Sequence, residues 1–235
     1  QQPDGHHAYS FSYYVQNCDL QIIKLDADLV AVWNETLFSN LTCYNLQDYV
    51  PCINYPIYHT YNATSYVIVS FNNLKYGIWP NTTYHFSNFL QILNVTQIST
   101  SSSPSSQSAV IFNATYNSTA YFVFSVYPNQ PVVHQDYVYY HYFPTINIGN
   151  ASNYASYDMT HMVHRLSDGT QLWSSTVRNL KRFWDVNGET SWNYQLYRPV
   201  IGGDRVVMQQ SNGLVAYDLW NGSQVWNAAS IRAKQ

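Results

Sequence analysis

Short runs that alternate apolar with polar residues recur along this chain, and no window sustains a helical stripe. The runs cover residues 8–15, 20–25, 29–33, 66–71, 89–95, 109–116, 120–127, 132–143, 205–210, 214–219 and 223–226, all rich in β-branched and aromatic side chains. Period two marks a strand with one buried face, and turn residues separate these runs at short intervals. Strands of this kind must bury their apolar faces against one another, so the chain is expected to fold as packed sheets. The expected class is all-β. An N-terminal antiparallel β-sandwich or jelly-roll-like domain spans residues 16–150, and a small C-terminal antiparallel unit spans 151–235. Residues 1–15 form a tail and a candidate donor strand, and the serine-rich stretch 99–108 reads as an exposed loop.

The division near residue 150 rests on charge. Residues 1–157 hold two basic and seven acidic side chains, whereas residues 158–235 hold eight basic and six acidic ones. Such a shift reads as a change of unit.

Nine Asn-x-Ser/Thr sequons begin at Asn34, Asn40, Asn62, Asn81, Asn94, Asn113, Asn117, Asn150 and Asn221. Seven end in threonine, although the chain's 23 Asn and 15 Thr give roughly 1.5 such triplets by chance. The expectation is export and N-glycosylation, with these asparagines on the surface. Composition agrees: charged residues are 10% of the chain and aromatics 17%, with 23 tyrosines. An ordinary soluble domain carries about 25% charge, so covalent N-glycans would supply the missing hydration. Gln1-Gln2-Pro3 reads as a mature N-terminus left by a removed export signal. No apolar run approaches the ~18 residues of a membrane span. The net charge of -3 and the lack of a basic run speak against nucleic acid as a partner. The expected location is extracellular or at the cell surface. Outside the cell one disulfide is expected among Cys18, Cys43 and Cys52; Cys43 with Cys52 closes a small loop, and Cys18 with either remains open.

Two internal echoes stand out. Residues 61–70 (YNATSYVIVS) resemble residues 116–125 (YNSTAYFVFS), each placing a sequon at the mouth of a strand. Residues 164–173 (HRLSDGTQLW) align with residues 217–226 (YDLWNGSQVW) at an offset of 53, each reading as strand, glycine turn and strand ending in tryptophan. Residues 202–208 and 212–219 fit the strands before the second turn. Over about 160–228 this pattern resembles the repeat of PQQ-type quinoprotein β-propellers. The resemblance implies that Gly169 and Gly222 make the hairpins, and that Trp173 and Trp226 dock against a neighbouring blade. Propellers need about four blades or more. Two copies carry over no quinone site, and no cofactor is expected.

No nucleophile elbow, zinc-protease helix, phosphate loop or dinucleotide fingerprint occurs. The small clusters His134/Asp136/His141, His6-His7 and Asp26/Asp28 read as surface polar groups rather than metal sites. His161 and His164 fall on opposite strand faces, so they do not ligate jointly. Trp79, Trp184, Trp192 and Trp220 read as packing residues before sugar platforms. No catalytic or metal-binding residue is assigned, and enzyme activity is not expected.

The N-terminal run points to function. Tyr9, Phe11, Tyr13 and Val15 share one face of an expected strand, and such a face wants a groove. Donated to another copy, the strand would join subunits head to tail by β-augmentation, and a contact that does not close on itself yields a polymer. The expected function is a structural glycoprotein, a self-assembling subunit of a filament, sheath or matrix. An adhesion or carbohydrate-binding ectodomain is the alternative, and a fragment of a larger secreted propeller enzyme is the third reading.

Overall fold

The computed structural model describes residues 14–25, 28–29, 31–45, 54–78, 83–96, 110–120, 129–147, 156–181, 199–210 and 213–229. These residues form antiparallel sheets with no helix, so the chain is all-β. Strands β1 (Tyr14–Leu25) and β2 (Ala31–Asn45) make a two-stranded hairpin. Strands β3 (Ile57–Tyr61), β4 (Thr64–Ile78), β5 (Thr83–Asn94) and β6 (Val110–Ala120) follow as an antiparallel meander. A second meander comprises β7 (Val132–His134), β8 (Tyr137–Asn147), β9 (Ser156–Arg165) and β10 (Gln171–Lys181). A third comprises β11 (Val200–Gly202), β12 (Arg205–Gln210), β13 (Gly213–Asp218) and β14 (Gln224–Ala229). The first two meanders are joined along one edge only by a short parallel bridge, where Thr119 and Ala120 of β6 meet Thr145 and Ile146 of β8. Among the described residues the sheets close into neither a barrel nor a propeller.

The sheets stack face to face. Leu41 of the β1–β2 hairpin packs on Val69, Phe71, Phe89 and Leu93 of the first meander. The opposite face of that meander, through Tyr66, Ile68, Leu90 and Ile92, buries Val138, Tyr140 and Met162 of the second. The far face of the second meander, through Tyr139, Val163 and Trp173, buries Met208, Val215 and Tyr217 of the third. An inner sheet is therefore apolar on both faces, because each face has a neighbour. The run from Tyr66 to Phe71 shows this directly: alternate residues enter different cores. Phe71 stacks on Phe89 with ring centres 4.7 Å apart, and Phe38 sits edge-on to both.

The charge shift near residue 150 falls between β8 and β9, which pair with each other from Tyr137↔Arg165 to Asn147↔Ser156. Strands on both sides of that position thus share one sheet. The third meander begins at Val200.

The second and third meanders repeat one plan. The first turn of each is left-handed, at Gln135 (φ 51°) and Gly203 (φ 60°). The last turn of each places glycine there, at Gly169 (φ 74°) and Gly222 (φ 72°). The same hydrogen bonds recur: Gly169 N–H donates to Arg165 O at 2.8 Å and Gly222 N–H to Asp218 O at 2.9 Å. Leu166 N–H reaches Asp136 O at 2.7 Å, and Leu219 N–H reaches Asp204 O at 2.8 Å, so each last turn is tied to its own first turn.

Candidate functional site

The most specific contacts lie where one sheet meets the next. Trp173 on β10, opposite Val163, is only 9% exposed. Its indole N–H donates to Leu219 O at 2.7 Å. Its ring lies on Gly222, where a Cβ would stand 2.5 Å from a ring carbon. Glycine is thus required twice there, for its left-handed φ and for the close approach. The first and second meanders meet in the same way. Phe112 on β6 covers Gly169, where a Cβ would stand 2.4 Å from the phenyl ring. Phenylalanine has no donor, and the polar link passes to its neighbours. His164 Nδ1 donates to Gly169 O at 3.0 Å, so in the neutral ring Nε2 accepts from the Tyr116 hydroxyl at 3.1 Å. Burial pushes the His164 imidazole below its ordinary pKa, which favours that neutral form.

Trp226 occupies the corresponding place on the third meander. It pairs with Ala216 as Trp173 pairs with Val163, yet it is 41% exposed. The resemblance expected both tryptophans to dock. Trp173 lies against a neighbouring sheet, and no described residue covers Trp226 in the same way.

A buried imidazole pair sits between the second and third meanders. His141 and His161 oppose each other across β8 and β9. His161 packs edge-on to Tyr217 at 4.4 Å and to Trp173 at 5.2 Å. Burial pushes His141 down to about 3, helped by the nearby His161, and pushes His161 down to about 4. Among the described residues His141 Nδ1 and both ring nitrogens of His161 have no hydrogen-bond partner. His161 and His164 do face opposite ways, toward Tyr217 and toward Phe112 respectively. Among the described residues no group of three or more His, Cys, Asp or Glu side chains is placed to hold a metal. His134, Asp136 and His141 do not converge: Asp136 accepts from Ser167 N–H and Oγ at 3.0 and 3.1 Å, while His141 is buried in β8.

Of the sequon asparagines, Asn34, Asn40, Asn62, Asn113, Asn117 and Asn221 are exposed and Asn94 is half-buried. Asn81 and Asn150 lie outside the described residues. Asn62 opens the turn before β4, as expected for a strand mouth. Asn117 instead lies within β6, where residues 111, 113, 115 and 117 are exposed in alternation with covered ones. Asn94 Oδ1 accepts from Thr96 N–H at 3.1 Å, and Asn221 Oδ1 from Ser223 N–H at 2.8 Å, the local turn that asparagine favours.

Cys18 lies opposite Leu41 and Cys43 opposite Gln16, so the two stand on a diagonal of the β1–β2 ladder. Cys52 lies outside the described residues, and no disulfide is seen among those that are described. Tyr9, Phe11 and Tyr13 also lie outside them. Val15 lies in β1 opposite Tyr44, paired within its own chain. No described helix is long and apolar enough to cross a membrane.

The Phe112–Gly169 contact and the imidazole pair were not anticipated from sequence. The first had no tryptophan to flag it. The second needed the register of β8 on β9, which no local pattern reports. Compared with known proteins, the chain matches no family model, and no curated protein matches it.

Proposed function

We propose that this protein is a secreted, N-glycosylated structural protein, a subunit of an extracellular filament, sheath or matrix. The observation that carries this reading is the solvent exposure of Asn34, Asn40, Asn62, Asn113, Asn117 and Asn221, spread over three of the stacked sheets. A sheet stack poor in charge needs another source of hydration, and sugar at these positions supplies it. Asn113 and Asn117 stand on one face of β6, where two glycans would shield an otherwise bare strand.

Assembly by strand donation draws support from β1, whose second edge has no partner strand among the described residues. An open edge is a template for another strand. Peptide mapping of native material tests the glycan reading: occupied Asn-x-Thr sites are expected, and bare ones overturn it. Deleting residues 1–13 tests donation. Soluble single subunits are expected, and polymers that persist unchanged refute it.

A carbohydrate-binding ectodomain is the second reading, favoured by the exposure of Trp220 and Trp226 at 50% and 41%. Its signature would be glycan binding abolished by replacing one of these rings.

A further inference from the structure

We propose that the glycan on Asn62 folds back onto the Tyr61 ring, so that the chain binds the first sugar of its own glycan and clamps the β3–β4 hairpin with it. This rests on the glycoprotein reading and adds to it a sugar-binding site made by the chain itself.

Five of the nine sequon asparagines directly follow an aromatic residue: Trp33-Asn34, Tyr61-Asn62, Phe112-Asn113, Tyr116-Asn117 and Trp220-Asn221. Nine sequons at 17% aromatic content give about 1.5 such pairs by chance. Period two explains three of them. Asn34, Asn113 and Asn117 lie in β2 and β6, where neighbouring side chains point to opposite faces. Phe112 is turned onto Gly169 and the Tyr116 hydroxyl onto His164, while Asn113 and Asn117 are exposed. A sugar on those asparagines stands across the sheet from the ring before it. Trp220 lies in a turn but packs edge-on to Tyr137 at 4.7 Å.

Tyr61-Asn62 is different. Tyr61 and Thr64 are the last pair of the hairpin, and Asn62 and Ala63 form the two-residue turn. Asn62 has φ 46° and Ala63 φ 59°. A left-handed backbone at both positions breaks the alternation, so nothing carries the Asn62 amide to the face opposite the ring. Tyr61 rests on the core between the first and second meanders yet is only half-buried, which fixes the ring and leaves part of it open. Asn62 is exposed, and Thr64, directly opposite Tyr61, stands on the same face as the ring. A pyranose has an apolar face of C–H bonds, and an aromatic ring is a surface on which that face loses water.

The hairpin also needs a clamp. Turns of this hand favour Asn-Gly, and Ala63 stands where glycine is expected, so its Cβ strains the turn. β3 is the edge strand of its sheet and pairs with β4 alone. Such a hairpin opens locally without global unfolding, and a sugar held by Tyr61 opposes that opening.

Peptide mapping of the native protein should find sugar on Asn62. In that material the Tyr61 ring should shift protons of the first sugar at Asn62 upfield in NMR spectra, and those at Asn117 should stay unshifted. Hydrogen exchange over residues 57–67 should be several-fold slower in the glycosylated chain than in bare chain made without the glycosyl transferase. Trimming the glycans to one sugar should keep that protection. In Tyr61→Leu, which keeps an apolar side chain on the core, sugar should no longer slow exchange. Occupied Asn62 with unshifted sugar protons, or with exchange slowed equally in Tyr61→Leu, overturns the proposal and leaves the glycoprotein reading intact. So does bare Asn62 beside occupied sites elsewhere. Bare asparagines at every sequon overturn both.

Discussion

At the scale of single residues, the buried imidazoles set how the molecule answers to acid. An ordinary histidine titrates at 6.5, whereas folding holds His141 near 3 and His161 near 4. Because both folded values are depressed, the unfolded chain binds protons first as pH falls. Their contribution is complete above pH 6.5 and is lost as pH drops from 6.5 through 4 toward 3. Linkage puts the loss at pH 5 at about 2 kcal/mol for each ring. The urea midpoint should fall between pH 7 and pH 5, and His161→Phe should flatten that dependence. An equal pH slope in the variant would show that His161 is not responsible. None of this was legible in the sequence. His141 and His161 sit in runs whose composition fits an exposed strand equally well, and only the sheet that covers them decides.

At the scale of elements, hairpin chemistry was the most legible part. Glycine before a polar residue and tryptophan located both last turns, because a left-handed residue in a tight turn is a local requirement. Strand β12 was found for a similar reason, since Val206 and Met208 keep period two, and β13 by its short continuous apolar run over 214–217. β9 hid its periodicity because residues 159–164 are buried on both faces. Most of β2 was missed because its middle, Asn34-Glu35-Thr36, is polar where it faces solvent. The glycine turns separate two sources of strain. At Gly203 the φ is 60° and a Cβ would meet nothing within 4 Å, so Gly203→Ala should lose only about 1 kcal/mol. At Gly222 the same φ penalty is joined by collision with Trp173, and Gly222→Ala should lose about 3 kcal/mol. Thermal unfolding of the two variants decides. Equal losses would mean that Trp173 yields to the new methyl group.

At the scale of the whole molecule, the surface and the interior answer to different conditions. The interior is held by aromatic and aliphatic contact between sheets, away from the exposed sequon asparagines. On the proposed glycoprotein reading, enzymatic removal of glycans is therefore expected to lower solubility sharply while leaving the unfolding temperature of the soluble fraction nearly unchanged. A large fall in that temperature would place sugar contacts within the fold itself. The sequence made the all-β class plain but not the stack. Layer order depends on which apolar face meets which, and several strands carry two such faces.

The stack also runs in chain order: hairpin, first meander, second, third. Each meander rests on the tier made before it and has its other face covered when the next is made. Such a chain can be built vectorially as it emerges, tier on tier, without long-distance strand exchange. Damage at one end, for the same reason, need not spread to the other.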